Sequence, residues 1–256
     1  ALVALAAGVP ILRLLWEAAA MPQHLAAGGP GAALLAGAAT LRAELGVALE
    51  RARADLGHSL VYSASAAAVC APLGLVLGHA IERARRGRLL ETVALAPLAA
   101  PAILFGIGVI GLWNHGPTAD FYDSGAMATC LSIGRFAAFA ILVSSGAVAA
   151  LDPGLEEAAA LAGARPARRM LSIVAPALKG TLAASFVLVF VFAMRDLDSA
   201  ILVPAANQTA IMRVFNGVHF GRDSYVASLC LLLVFAIVLP GLLWSIFARK
   251  RLEVLP

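Results

Sequence analysis

Of the chain's 256 residues, 61% are hydrophobic and only 13% are charged; its mean hydropathy is +0.90 and its formal net charge +4. Soluble domains carry about 25% charged and 45–50% apolar residues, so a water-soluble fold could not cover this much apolar surface. The basic residues gather beside apolar blocks instead of forming a stripe interleaved with aromatics, which excludes a nucleic-acid partner. The blocks are roughly 20 residues long, the length a helix needs to cross a hydrocarbon core of about 30 Å, and the surrounding solvent is therefore membrane lipid.

Six helical spans are predicted, at 1–20, 56–80, 89–113, 124–150, 179–203 and 224–248, giving an all-α membrane protein with a single transmembrane domain over 1–256. The first span opens on Ala1 inside an apolar stretch, without the basic start and cleavage pattern of a secretory signal. This is the pattern expected of a cut span or of part of a longer fused polypeptide. Before the second span, residues 41–55 carry Arg42, Glu44, Glu50, Arg51, Arg53 and Asp55 in an amphipathic pattern. They read either as a short helix along the outer membrane surface or as a solvated connector. The third span holds Pro97 and Pro101 one turn apart, which predicts a kink. Its Gly106, Gly108 and Gly111 have the spacing of a dinucleotide-binding turn, but no strand precedes them, so close helix packing is the better account.

The segments 81–88, 151–178 and 248–251 are rich in arginine, whereas 114–123 has none and 21–55 and 204–223 have few. The positive-inside rule places the first set, and both chain ends, in the cytoplasm. Four ionisable residues fall within predicted spans: Arg135, Arg195, Asp196 and Asp198. Arg195 and Asp198, three apart, are expected to pair along the fifth helix while Arg135 reaches Asp196. Such charges either join helices or line a translocation path or its outer gate. Outside, Asn207, Arg213, Asn216 and His219 form a polar set suited to contact with a docked soluble protein, or simply to solvent.

Cys70, Cys130 and Cys230 sit singly in apolar blocks and the five histidines lack ligand spacing, so neither metal nor cofactor is expected in this chain. No Ser/His pair, H-E-x-x-H or dicarboxylate arrangement in the spans supports an enzyme. The chain also lacks G-x-x-x-x-G-K-[ST], and its only lysines are Lys179 and Lys250, so it does not itself bind ATP through a phosphate loop.

Between the fourth and fifth spans lies LDPGLEEAAALAGARPARRMLSIVAPALKG, too long and too patterned for a plain connector. Asp152 suits an N-cap and Pro153 the first helical position, so a helix is predicted from Pro153 to about Ala162, ending at Gly163. A second helix is predicted after Pro166. Glu157, Ala158, Ala159, Gly163, Ile173 and Pro176 match E-A-A-x₃-G-x₉-I-x-L-P, with Ala175 in place of leucine. In this the chain resembles the permease subunits of type I binding-protein-dependent ABC importers, or the carboxyl-terminal half of a fused permease. The likeness extends from about Leu56 onward. Its segments RDLDSAILV and TAIMRVFNGVHFG are similar to the ferric-iron and thiamine importer group.

The resemblance implies a coupling loop at 151–178, with those six residues docking on a cytoplasmic ABC ATPase dimer that holds the ATP and magnesium. It also implies a bacterial inner-membrane location, an external substrate-binding protein and a second permease bundle as homodimer, heterodimer or fused half. The cargo it suggests is ferric iron, with thiamine or a polyamine as alternatives. A secondary transporter is the rival class, since intramembrane charges and kinked helices serve it equally well. It would have no use for an ATPase-docking loop.

Overall fold

The computed structural model describes residues 2–27, 30–202, 204, 207–220 and 223–252, and every regular element among them is helical. The helices are α1 (Leu2–Ala18), α2 (Met21–Ala27), α3 (Pro30–Arg83), α4 (Gly87–Ala99), α5 (Ala102–Trp113), α6 (Ala119–Tyr122) and α7 (Gly125–Ala149). They continue with α8 (Pro153–Leu161), α9 (Pro166–Arg169), a π turn at Met170–Val174, α10 (Ala175–Ala177) and α11 (Lys179–Met194). The last are α12 (Leu197–Ala200), α13 (Ala210–Phe220) and α14 (Asp223–Leu252).

Among the described residues, α3, α7 and 224–242 of α14 are long and apolar enough to cross a membrane. The pairs α4 with α5, bent by 99°, and 166–177 with 179–194, bent by 78°, raise the number to five if each pair is one span. The predicted first span is the 17-residue α1, about 25 Å long at 1.5 Å per residue. In the third span, the expected kink is a full break. Pro97 stays inside α4, whereas Pro101 forces Ala100 into extended backbone (φ −82°, ψ 129°) and starts a new helix.

The predicted short helix at 41–55 is instead the middle of α3, whose 54 residues reach about 81 Å. Positions 32–60 contain no proline and are rich in alanine, leucine, arginine and glutamate, the best helix formers, so nothing stops the helix where the hydropathy falls.

The chain divides into two compact units, Ala1–Leu60 with Gln208–Leu243 and Val61–Asn207 with Trp244–Pro256. In the first, Ala19, Met21 and Ala33 form a small core with Leu41 packed on it. One face of α3, with Ala48, Ala52, Asp55, Leu56 and Ser59, is buried at helical spacing. Ser59 Oγ accepts a hydrogen bond from the Ala210 N–H at 2.8 Å, satisfying a free donor at the start of α13, and Asp55 pairs with Arg213.

In the second unit α7 is the central element, buried at Met127, Leu131, Phe136, Ile141, Ser144 and Val148 and packed along α11. Its approach to α3 depends on two glycines one turn apart. A Cβ on Gly74 would lie 2.7 Å from the Ala140 backbone, and one on Gly78 would lie 2.7 Å from the Ser145 nitrogen. Both distances are too short for any side chain, so the two backbones touch directly. Of the three glycines singled out in the third span, Gly106 is closely covered by Leu202, while Gly108 and Gly111 face open space.

Gly74→Val is therefore expected to destabilise the protein by about 1–3 kcal/mol through overpacking against rigid backbone. Gly108→Ala should be neutral or stabilise by up to about 1 kcal/mol. Thermal unfolding of the two variants in detergent measures the contrast.

Candidate functional site

The loop after α7 is built from local signals. Asp152 caps α8 by accepting from the Gly154 N–H at 2.9 Å, and Pro153 occupies the first helical position, where its missing donor costs nothing. At the other end Gly163 has φ +81°, a conformation L side chains rarely adopt. The Gly163 N–H donates to Ala160 O and the Ala164 N–H to Ala159 O, each at 2.9 Å, closing the helix with a Schellman turn. The second loop helix starts at Pro166, passes through the π turn, where the Ala175 N–H donates to Met170 O, and bends into α11 at Leu178.

The motif residues divide by exposure. Glu157, Ala158, Gly163 and Pro176 are exposed, with Ala159 and Ile173 half-buried. Leu155 is also exposed, and Leu161 is 90% exposed, so α8 presents small and apolar side chains around a single carboxylate.

Two residues outside the motif hold the loop down. Val174 is fully buried against Leu75 of α3 and Val148 of α7. Glu156, 7% exposed, turns its carboxylate inward to His79 Nε2 at 2.6 Å, and its Oε1 accepts from Arg83 Nε at 3.2 Å. Burial alone would raise the Glu156 carboxyl. The hydrogen bonds and charges of His79 and Arg83 outweigh that and hold it below the ordinary carboxylate range. The motif marks Glu157 and not its inward-turned neighbour Glu156. The available signal was the i, i+4 spacing of His79 and Arg83 at the end of an apolar span, facing a loop with two adjacent glutamates.

The intramembrane charges also assemble: Arg135 reaches Asp196 as expected, whereas the expected Arg195–Asp198 pair is missing. Arg135 of α7 binds Asp196 and donates to Ser199 Oγ at 2.9 Å, with Asp198 Oδ2 3.6 Å from its Nη2. The Arg195–Asp198 pair does not form, because α11 ends at Met194 and the chain turns extended at Asp196, which caps α12. The two residues therefore do not share one helix face. Arg195 lies instead over the Phe192 ring, 5.2 Å from its centroid. A cavity of about 350 Å³ adjoins this cluster and the break at Ala100, lined by Pro97, Phe136, Phe139, Phe192, Arg195 and Asp196 among others. Among the described residues no group of three or more ligating side chains lies together.

Of the outer polar set, Asn207 and Arg213 are engaged within the fold. Tyr62 O–H donates to Asn207 Oδ1 at 3.1 Å, the Asn207 amide donates to Asp123 O at 2.6 Å, and Arg213 holds Asp55. Asn216 is half-buried, and His219 is exposed against Phe215.

The described residues thus form an all-helical membrane protein with a capped, anchored two-helix loop between its spans. Residues 71–253 match the model of the binding-protein-dependent transport system inner membrane component family, and the chain belongs to that family. It is a multi-pass inner-membrane permease of an ABC importer, and the reaction that drives transport is not carried out by this component. The chain is 28% identical over 204 residues to the putrescine transport system permease protein PotI of Escherichia coli (strain K12). That alignment covers 77% of this chain and 73% of the relative, and PotI of Escherichia coli O6:H1 matches to the same extent.

Because the Glu156 carboxyl is held below its ordinary value of 4.5, its contribution to stability is complete above about pH 4.5 and is lost as pH falls through the lowered value. The gap in melting temperature between the wild type and E156Q should therefore close as pH drops below about 4.5. Thermal unfolding across acid pH measures it.

Proposed function

We propose that this chain supplies the translocation path of the importer and takes its driving motion from a separate cytoplasmic ABC ATPase dimer docked on α8. The observation that carries this reading is the two-sidedness of the loop. Leu155, Glu157, Ala158 and Leu161 are exposed on a helix whose other side is fixed at Glu156, while the second half of the loop is fixed at Val174. Small exposed side chains let a partner approach closely, and Glu157 provides one charge for orientation. On this reading both chain ends and the loop lie in the cytoplasm, and the external binding protein delivers cargo on the opposite side, toward the segment that carries Asn207, Arg213, Asn216 and His219. The candidate spans among the described residues, up to five, are too few to enclose a path, so a second permease bundle completes it. A secondary transporter is disfavoured because it gives this loop no role.

Leu161→Arg and Glu157→Lys should each weaken co-purification of the cognate ATPase by about tenfold or more, as expected for a truncated or reversed contact at the centre of an interface. Unchanged association in both would sink the docking assignment.

For the cargo, the resemblance to ferric-iron permeases and the match to the putrescine permeases point in different directions. The second extends over 204 aligned residues, and we take a polyamine-type organic cation as the cargo. Its path runs through the cluster of Arg135, Arg195, Asp196 and Asp198, whose charges are costly in hydrocarbon unless they face one another or a polar route. Proteoliposomes with the cognate ATPase and binding protein should take up labelled putrescine in competition with other polyamines but not with ferric iron or thiamine. D196N should cut that uptake by about tenfold with the protein still folded. Uptake competed by ferric iron alone overturns the cargo, and full uptake by D196N overturns the path.

A further inference from the structure

We propose that Glu156 is the positioning residue of the loop, the joint through which motion of the exposed α8 surface is imposed on α3 and α7; this rests on the docking reading above. Adjacent residues on a helix point about 100° apart, and here that offset separates two roles. Glu157 faces out, while Glu156 is turned into the protein, 7% exposed.

Both partners of Glu156 stand on α3, and one of them reaches on to a third element. His79 and Arg83 stand one turn apart on the last turns of α3 and hold the two carboxylate oxygens separately. The Arg83 guanidinium then continues to a third element. Its Nη2 donates to Leu151 O, just past α7, at 2.9 Å and to Val148 O, in the last turn of α7, at 3.3 Å. Ser145 of α7 donates to the neighbouring Glu82. One arginine thus ties the coupling helix, the end of α3 and the end of α7 into a single knot of charge-assisted hydrogen bonds.

The second anchor makes the attachment rigid. Val174 sits between Leu75 and Val148, residues of the same two helices, so both loop helices rest on α3 and α7 together. Those two helices are themselves in backbone contact at Gly74 and Gly78, the latter next to His79. A body fixed at two points on a base that cannot slide transmits displacement without yielding. A charge buried this far stays put only while its partners stay with it, so the knot resists separation of α8 from α3.

The test uses the whole transporter, with its ATPase and binding protein, in proteoliposomes. E156Q and R83Q should co-purify with the ATPase to within about twofold of the wild type. Transport per ATP hydrolysed should fall about tenfold in each, and the double variant should be no worse than E156Q. A merely structural role would lower association and turnover together and leave the ratio unchanged. A second measurement leaves the joint intact and stands even where E156Q fails to fold. Spin labels at the exposed Ala160 and Arg85, with Cys70, Cys130 and Cys230 replaced by alanine, should keep their separation to within about 3 Å through the ATP cycle. An unchanged transport ratio in E156Q, or a label separation that shifts by more than about 5 Å on nucleotide binding, overturns the joint and leaves the docking reading standing. An ATPase that does not bind the wild type overturns both.

Discussion

The close crossing of α3 and α7 at Gly74 and Gly78 is the constraint on which the 61–207 unit depends. In lipid, helices gain little from hiding apolar side chains from one another, because the surrounding hydrocarbon is just as apolar. Association comes from van der Waals contact and from hydrogen bonds across the interface. Two glycines bring the backbones together, and the interface then extends along the helices through Cys70 near Ile133 and Tyr62 against Gly125. Everything that anchors the loop, whether polar at Glu156 or apolar at Val174, is placed by this pair.

Ionic groups follow the same economy of position. Glu156 is held by His79 and Arg83, Asp196 by Arg135, and Asp55 by Arg213, and in each case partners from separate stretches of sequence come together. Removing one member leaves its partner's charge in surroundings that solvate it less well than water does. Asp196 carries a further sign of tension: its Oδ2 is buried without a hydrogen-bond partner among the described residues, next to a cavity.

Much of the local architecture was legible in the residues themselves. Asp152–Pro153 and Gly163 delimit α8, and Pro101 marks the break in the third span, because caps and prolines act through their own backbone. What escaped depended on other parts of the chain or on where helices end. Hydropathy locates the edge of the membrane but not the end of a helix, so α3 runs on through 41–55. The Arg195–Asp198 pair was expected on an unbroken helix that stops at Met194. Glu156 and Val174 were passed over in favour of their motif neighbours Glu157 and Ile173, because only tertiary packing decides which of two adjacent side chains turns inward.

The caps of α8 also bear on how fast and how tightly a partner can engage it. A nine-residue helix is marginal in isolation, because its nucleation is unfavourable and too few turns follow to offset it. Here Asp152, the Schellman turn and the inward anchors have already fixed the backbone, at an entropic cost of about 1–2 kcal/mol per residue met when the chain folds. A protein arriving at this surface encounters a finished shape and has no ordering step to wait for. Its association rate should accordingly be set by diffusion and orientation, and its affinity by contact quality alone.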